Sequence, residues 1–112
     1  MDNKIIYRVI RSKSHEFLLH ASEPESEFNA IVSIHNTAYG PAFGGCRIRS
    51  YPRLIDAIAD AQFLSEAMTY KSTFYDLPYG GGKAVLIGSP TPFQKRTWMT
   101  LFGNVLNKLN GL

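Results

Sequence analysis

Two lysines and a run of three glycines are the residues of this chain best suited to chemistry. Lys71 and Lys83 lie twelve positions apart, and Lys83 directly follows the glycines at positions 80–82. Consecutive glycines cost backbone entropy, which a chain tolerates where it passes very close to another group. A lysine held away from water can become a neutral general base, whereas a charged lysine can hold an anion. The pattern predicts that one of the two lysines acts as a neutral base and that the other holds an anion. The alternative is that both are ordinary solvated lysines.

The glycine run is not a nucleotide-binding loop. A Walker A loop has glycine where Leu77 stands and Ser or Thr where Ala84 stands, and a helix follows its lysine. Here the lysine precedes the apolar run at positions 84–87 (AVLI), which predicts a buried strand. The dinucleotide fingerprint G-x-G-x-x-G is also missing from the sequence. Acidic and basic side chains are interspersed at a net charge of only +3, so the sequence does not predict nucleic-acid binding.

Three motifs, in order and spacing, resemble the amino-terminal domain of the glutamate/leucine/phenylalanine/valine dehydrogenases, with the leucine and phenylalanine branch nearest. They are residues 40–47 (GPAFGGCR), 68–71 (MTYK) and 77–85 (LPYGGGKAV). Residues 31–37 (IVSIHNT) and 102–111 (FGNVLNKLNG) resemble the same branch, so the similarity spans most of the chain.

The resemblance implies a role for each of six residues. The lysine of the MTYK motif binds the substrate α-carboxylate, which assigns that role to Lys71. The lysine of the GGGK motif activates the water that attacks the imine, which makes Lys83 the catalytic residue. Gly44 and Gly45 are implied to lie beside the substrate, with Phe43 lining its side-chain pocket and Met68 close to it.

The resemblance also implies reversible, NAD-dependent oxidative deamination of an L-amino acid to a 2-oxo acid. The family carries NAD on a separate Rossmann domain and uses an aspartate shortly after the Asn110-Gly111 turn, whereas this sequence ends at Leu112. We therefore expect a truncated domain without a cofactor of its own, inactive alone and binding amino or oxo acids weakly. The alternative is a non-catalytic homologue that serves as an oligomerisation or interaction module. In both cases a homodimer or larger homo-oligomer is expected.

Length and composition predict one domain, residues 1–112. The chain is 45% hydrophobic, enough for a core, and its single Cys46 suits a reducing cytoplasm. No apolar run approaches the roughly 20 residues that a membrane span needs. Strands are predicted at residues 4–10, 16–20, 28–34 and 84–87, with an extended segment at 43–50. With two helices, these elements predict an α/β layered domain with a mixed β-sheet.

The first predicted helix covers residues 53–70 and would bury one apolar row: Leu54, Ala57, Ile58, Ala61, Leu64, Ala67 and Met68. The second begins at Pro92, after a capping box formed by Thr91 and Gln94, and ends at Gly111. Its predicted apolar face consists of Trp98, Leu101, Phe102, Val105 and Leu109.

Two further features lie near the motifs. His35 is predicted to be a packed, hydrogen-bonded histidine, and the spacing of His15 and His20 predicts no metal site. Phe74 and Tyr75 follow the MTYK motif, where the leucine-type enzymes have small residues, and they add bulk beside the two lysines.

Overall fold

The computed structural model describes residues 4–38 and 40–109. In chain order these residues form β1 (Ile6–Ile10), β2 (Phe17–Glu23), β3 (Phe28–Asn36), β4 (Ala42–Phe43), β5 (Cys46–Arg49), α1 (Leu54–Phe74), β6 (Gly80–Ile87) and α2 (Pro92–Leu109). Three strands extend past the bounds that their sequence patterns indicate. β2 reaches Glu23 instead of residue 20, β3 reaches Asn36 instead of residue 34, and β6 begins at the glycines instead of at Ala84.

The strands in the described residues form one mixed sheet, as predicted. β1, β2 and β3 follow one another as antiparallel neighbours, and β3 pairs antiparallel with β6. The far edge of β6 pairs in parallel with both β4 and β5. β6 is therefore an interior strand, and this explains why nearly all of it is buried.

Helices cover both faces of the sheet. Because side chains alternate along a strand, neighbouring residues contribute to opposite cores. Leu18 and Val85 pack against α1, together with Ala57 and Ala61 of that helix. The other core contains ten buried residues: Leu19, Ala21, Phe28, Ala30, Val32, Ala84, Leu86, Trp98, Leu101 and Val105. The α/β layered class predicted from the order of elements is confirmed.

α2 follows its local sequence signals closely. The Thr91 hydroxyl accepts a hydrogen bond from the Gln94 backbone N–H at 3.2 Å, and the Gln94 side-chain oxygen accepts one from the Thr91 N–H at 3.1 Å. This reciprocal pair is the predicted capping box. Trp98, Leu101 and Val105 are buried on the predicted face. The predicted stop at Gly111 lies outside the described residues.

The prediction for α1 is wrong in its end point and in half of its buried face. The helix continues past Tyr70 to Phe74, and its buried residues are Ala57, Ala61, Ser65, Thr69 and Ser72. Leu54 and Ala67, which were predicted to be buried, are exposed. The reason is the close approach of the helix to the glycines of β6, where only small side chains fit between helix and sheet. Within the described residues, neither helix is long and apolar enough to cross a membrane.

Candidate active site

The edge of β6 that faces away from β3 pairs with two short strands, β4 and β5, which are separated by a break. β4 pairs with Gly80 and Gly81, and β5 resumes the parallel pairing at Ala84. The residues in the break are Gly44 and Gly45, which therefore lie beside Gly82 and Lys83. The Gly45 carbonyl accepts a hydrogen bond from the Ala84 N–H at 3.1 Å, which fixes one side of the break.

Gly44 approaches β6 more closely than any other residue could, and Gly45 lies beside the end of the Lys83 side chain. A Cβ atom on Gly44 would lie 1.5 Å from the Gly82 carbonyl oxygen, so any side chain would push the two segments apart. A Cβ atom on Gly45 would lie 3.3 Å from the Nζ atom of Lys83. The Lys83 amine thus lies beside Gly45 at the break in the edge strand.

Lys83 lies inside β6 and not at its beginning, which corrects the position predicted from the sequence. The strand starts three residues earlier, at Gly80, and the residues on both sides of Lys83 are buried while Lys83 itself is half-buried. Its backbone pairs with Ser33 of β3 on one edge of the strand and faces the break on the other edge. A lysine fixed in this way has its Cβ position set by the sheet and not by a loop.

A cavity of about 270 Å³ lies next to the break. Its walls are mostly apolar, with Lys83 and Ser33 among the few polar residues, and its size is slightly below the roughly 300–1,000 Å³ of pockets for drug-sized ligands. The lining residues are Val32, Ser33, Ile34, Ala42, Gly44, Gly45, Cys46, Gly82, Lys83, Ala84, Phe102, Leu106 and Leu109. The side chains of α2 in this set were not predicted from the sequence, because their only signal was apolar spacing, which equally indicates core.

Helix α1 is fastened to β6 at Gly81. The Gly81 N–H donates to the Thr69 hydroxyl at 2.9 Å, and a Cβ atom on Gly81 would lie only 1.9 Å from the Ser65 carbonyl oxygen. The hydroxyls of Ser65 and Ser33 are 2.8 Å apart in the same interface. The close passage predicted from the glycines is therefore the contact between α1 and the strand, and it sets where the MTYK turn lies relative to β6.

The remaining predicted site residues lie around this contact. Lys71 is exposed in the last turn of α1, and Met68 is half-buried one turn earlier. Neither is among the residues that line the cavity. The backbone of Phe43 pairs with Gly81 in β4, but its side chain lies outside the described part of the structure. The structure thus brings Gly44, Gly45 and Lys83 together, and places Lys71 and Met68 on the adjoining helix.

His35 is packed and hydrogen-bonded, as predicted. Its Nδ1 atom is 2.8 Å from the Thr69 hydroxyl, and its Nε2 atom is 3.6 Å from a carboxylate oxygen of Glu66. Burial, and the nearby ring of His15, lower the pKa of His35 below its usual value. Because Thr69 also binds Gly81, His35 belongs to the network that orders the start of β6. Thr69 was not predicted from the sequence, because its position within a helix gave no signal of a long-range hydrogen bond.

His15 joins this network from the segment before β2. One ligand atom from each of His15, His35 and Glu66 lies within 4.8 Å of the others, a cluster that the sequence spacing did not reveal. The His15 Nε2 atom is 2.8 Å from the Gln62 carbonyl oxygen, so it donates, and its Nδ1 atom is 2.7 Å from the Ser14 hydroxyl. Both nitrogens of His15 therefore have protein partners, and the cluster serves to fasten α1 to the strands.

The described residues do not fit a dinucleotide. Such cofactors bind where a glycine-rich turn opens a helix, whereas α1 begins after Arg53 and α2 after Thr91. The glycine-rich segment of this chain is a strand packed under α1.

The family model for the Glu/Leu/Phe/Val dehydrogenase dimerisation domain matches residues 15–112. The chain belongs to this family. Phenylalanine dehydrogenase from Caldalkalibacillus thermarum is 41% identical over 97 residues, which cover 87% of this chain and 26% of that protein. Leucine dehydrogenase from Geobacillus stearothermophilus is 36% identical over 106 residues, covering 95% of this chain and 29% of that protein. The chain thus spans less than a third of the length of these curated relatives.

Solved structures of the family contain the same fold. L-tryptophan dehydrogenase from Nostoc punctiforme superposes with a TM-score of 0.79 at 38% identity, over 88% of this chain and 29% of that one. Glutamate dehydrogenase from Thermus thermophilus shares the fold with a TM-score of 0.63 at 22% identity, over 92% of this chain and 23% of that one. The match lies in the amino-terminal domain of the family.

Proposed function

We propose that this chain is the substrate-binding and subunit-contact part of an amino-acid dehydrogenase, in which an L-amino acid is deaminated oxidatively to a 2-oxo acid. The observation that carries the proposal is the position of the Lys83 amine beside Gly45, at the break in the edge strand and in the wall of the cavity. An amine placed beside exposed peptide groups and a small cavity suits the binding of a small polar substrate. Family membership supports the class of reaction.

Lys83 is proposed as the catalytic base. It would take a proton from the water that attacks the imine carbon, a step that needs a base within hydrogen-bonding reach of that water. Its place between buried neighbours in β6 fixes the backbone from which the side chain extends, and the side chain stays partly open to solvent. Gly44 and Gly45 would lie against the substrate because no side chain covers their backbone.

Lys71 is proposed to bind the substrate α-carboxylate, since a fixed cation is the usual partner of a carboxylate. The bond between Gly81 and Thr69 connects the turn that carries Lys71 to the strand that carries Lys83. Met68 is proposed to lie near the substrate. Tightening of the helix–strand contact would then move both lysines together.

The substrate side chain is proposed to be apolar. Phe102, Leu106 and Leu109 of α2 supply apolar walls to the cavity beside Lys83, and Phe43 is proposed as a further wall. Charged side chains would be disfavoured there because burying an unpaired charge is costly. Phenylalanine, leucine and tryptophan are the substrates named in the relatives, and this site is proposed to take that class.

Hydride transfer is proposed to need NAD held by residues other than those described here. The 112 residues alone are therefore proposed to bind the acid weakly without turning it over. The proposed location is the cytoplasm, where the single thiol of Cys46 stays reduced.

The test is a titration of the purified chain followed by ¹⁵N–¹H NMR, with phenylpyruvate and 2-oxoisocaproate as ligands and 2-oxoglutarate as the charged control. Saturable shifts centred on Gly44, Gly45 and Lys83, stronger with the apolar acids, are expected. Lys95→Gln, an exposed lysine in the first turn of α2, is the matched control for Lys83→Gln. The absence of any saturable shift up to tens of millimolar ligand would remove this function.

A non-catalytic interaction module is the second candidate. Phe74 and Tyr75 favour it, because both side chains are exposed at the end of α1 with their ring centroids 5.2 Å apart. Exposed aromatic pairs are common at protein interfaces. The titration separates the two candidates, since a module kept only for its surface would give no saturable shifts at Lys83.

A further inference from the structure

The outer face of α1 exposes several large apolar side chains. The helix packs small residues against the sheet and turns large ones to solvent, the reverse of an ordinary surface helix. Ile55, Phe63, Tyr70 and Phe74 remain 61%, 70%, 61% and 83% exposed. A helix with this arrangement is expected to be covered in the functional protein.

These residues form one row, which we name the α1 row: Ile55, Ala59, Phe63, Ala67, Tyr70 and Phe74. Every member is exposed, and the spacing of three or four residues keeps all six on one side of the helix. Nearby acidic side chains have partners outside the row. Asp56 pairs with Arg53 at 3.1 Å, and Glu66 lies 3.6 Å from His35.

The α1 row is complementary to itself when two copies run antiparallel. With the two-fold axis between positions 64 and 65, Phe63 lies within one residue of the level of Ala67 of the second copy. The same operation places Ala59 opposite Tyr70. The rings of Phe63 and Tyr70 therefore each meet an alanine, which is the shape that interlocking helices need. Ile55 and Phe74 meet at the two ends.

The area of the row is sufficient for a dimer. Large aromatic side chains bury about 150–250 Å² each, so the four large members at their observed exposures offer roughly 500 Å² per copy. Two copies would bury about 1,000 Å² from these side chains alone, the lower limit for a specific interface. The members with i+4 spacing, from Ile55 to Ala67, form the kind of ridge used in the commonest class of helix packing.

We infer that the α1 row is the surface through which two copies of this chain associate, as an antiparallel, two-fold symmetric helix pair. The inference deepens the subunit-contact part of the proposed function by naming the residues that make the contact. It does not depend on the binding of an amino or oxo acid.

The test measures the dimer dissociation constant of the 112-residue chain by sedimentation equilibrium. Phe63→Ala is expected to raise this constant by at least about tenfold, because each dimer loses two central rings. Phe93→Ala is the matched control, since Phe93 is 73% exposed on α2 and lies outside the row. Circular dichroism shows whether each variant keeps its fold.

Cysteine cross-linking tests the register, in a Cys46→Ser background that removes the exposed native thiol. The double variant Ala59→Cys, Tyr70→Cys is expected to form a covalent dimer under mild oxidation. Within one helix these positions are about 16 Å apart, too far for an internal disulfide. Ala59→Cys alone is expected to give no covalent dimer, because a parallel pair is needed to bring position 59 onto itself.

A monomeric wild-type chain at 100 µM, an unchanged dissociation constant for Phe63→Ala, or efficient cross-linking of Ala59→Cys alone would each overturn the inference. A monomer that still binds 2-oxo acids would remove the interface and leave the proposed function standing. A dimer that binds no 2-oxo acid would leave the interface standing and would remove the proposed function. If the row is covered by another part of a longer polypeptide, the 112-residue chain is monomeric, and the inference fails.

Discussion

Gly81→Ala tests the helix–strand contact on which the geometry of the site depends. The new Cβ atom would lie 1.9 Å from the Ser65 carbonyl oxygen, where ordinary contact begins at 3.4 Å. The interior strand β6 is paired on both edges and cannot yield easily, so α1 must withdraw by about 1.5 Å, the difference between these distances. Withdrawal also breaks the bond between the Gly81 N–H and Thr69.

The expected cost follows from these contacts. Overpacking a well-packed interface costs about 1–3 kcal/mol. The loss of two buried hydrogen bonds, from Gly81 to Thr69 and between Ser33 and Ser65, adds about 1 kcal/mol each. The total of about 3–5 kcal/mol is a large share of the roughly 5–15 kcal/mol that stabilises a typical domain.

Urea unfolding at 25 °C, followed by circular dichroism, measures the change in the free energy of unfolding. Gly103→Ala is the matched control, because a Cβ atom there meets no other atom within 4 Å and α2 gains a better helix former. That control is expected to gain about 0.5–1 kcal/mol. A Gly81→Ala variant within about 0.5 kcal/mol of wild type would refute the close-contact reasoning.

The other predictions concern single side chains. Lys71→Gln is expected to weaken 2-oxo acid binding at least about tenfold, because the carboxylate loses its cation. Lys83→Gln is expected to change this affinity by less than about threefold, because Lys83 acts on water. Equal losses of affinity for the two variants in an NMR titration would contradict these roles. Thr91→Ala removes the α2 cap and should lower the free energy of unfolding by about 1 kcal/mol, and no change in urea unfolding would contradict the cap. The pKa of His35 is lowered by burial and by His15, so the unfolded state binds the proton more readily. The stabilising contribution of neutral His35 is therefore complete above about pH 6.5 and decreases as the pH falls below that value. His35→Gln should make the free energy of unfolding depend less on pH in this range. An equally steep dependence in the variant would show that other groups cause the loss of stability.

Local signals in the sequence were enough to place most elements. The capping box at Thr91 and Gln94, the apolar face of α2 and the β-branched runs of the strands predicted their structures correctly, because these patterns depend on neighbours within one or two turns. The spacing of the MTYK and GGGK motifs also determined family membership. Each of these conclusions needs only residues that are close in sequence or a pattern read in order.

The arrangement of the candidate site depended on contacts between distant segments. The break at Gly44 and Gly45 exists only because β4 and β5 pair with the same edge of β6. The buried face of α1 was predicted incorrectly because apolar spacing alone cannot show that Gly81 draws the helix close enough to exclude large side chains. Sequence by itself therefore determined the family and the list of candidate residues, and the tertiary structure decided which of them meet, since steric fit across the sheet outweighs the local preference of each helix residue.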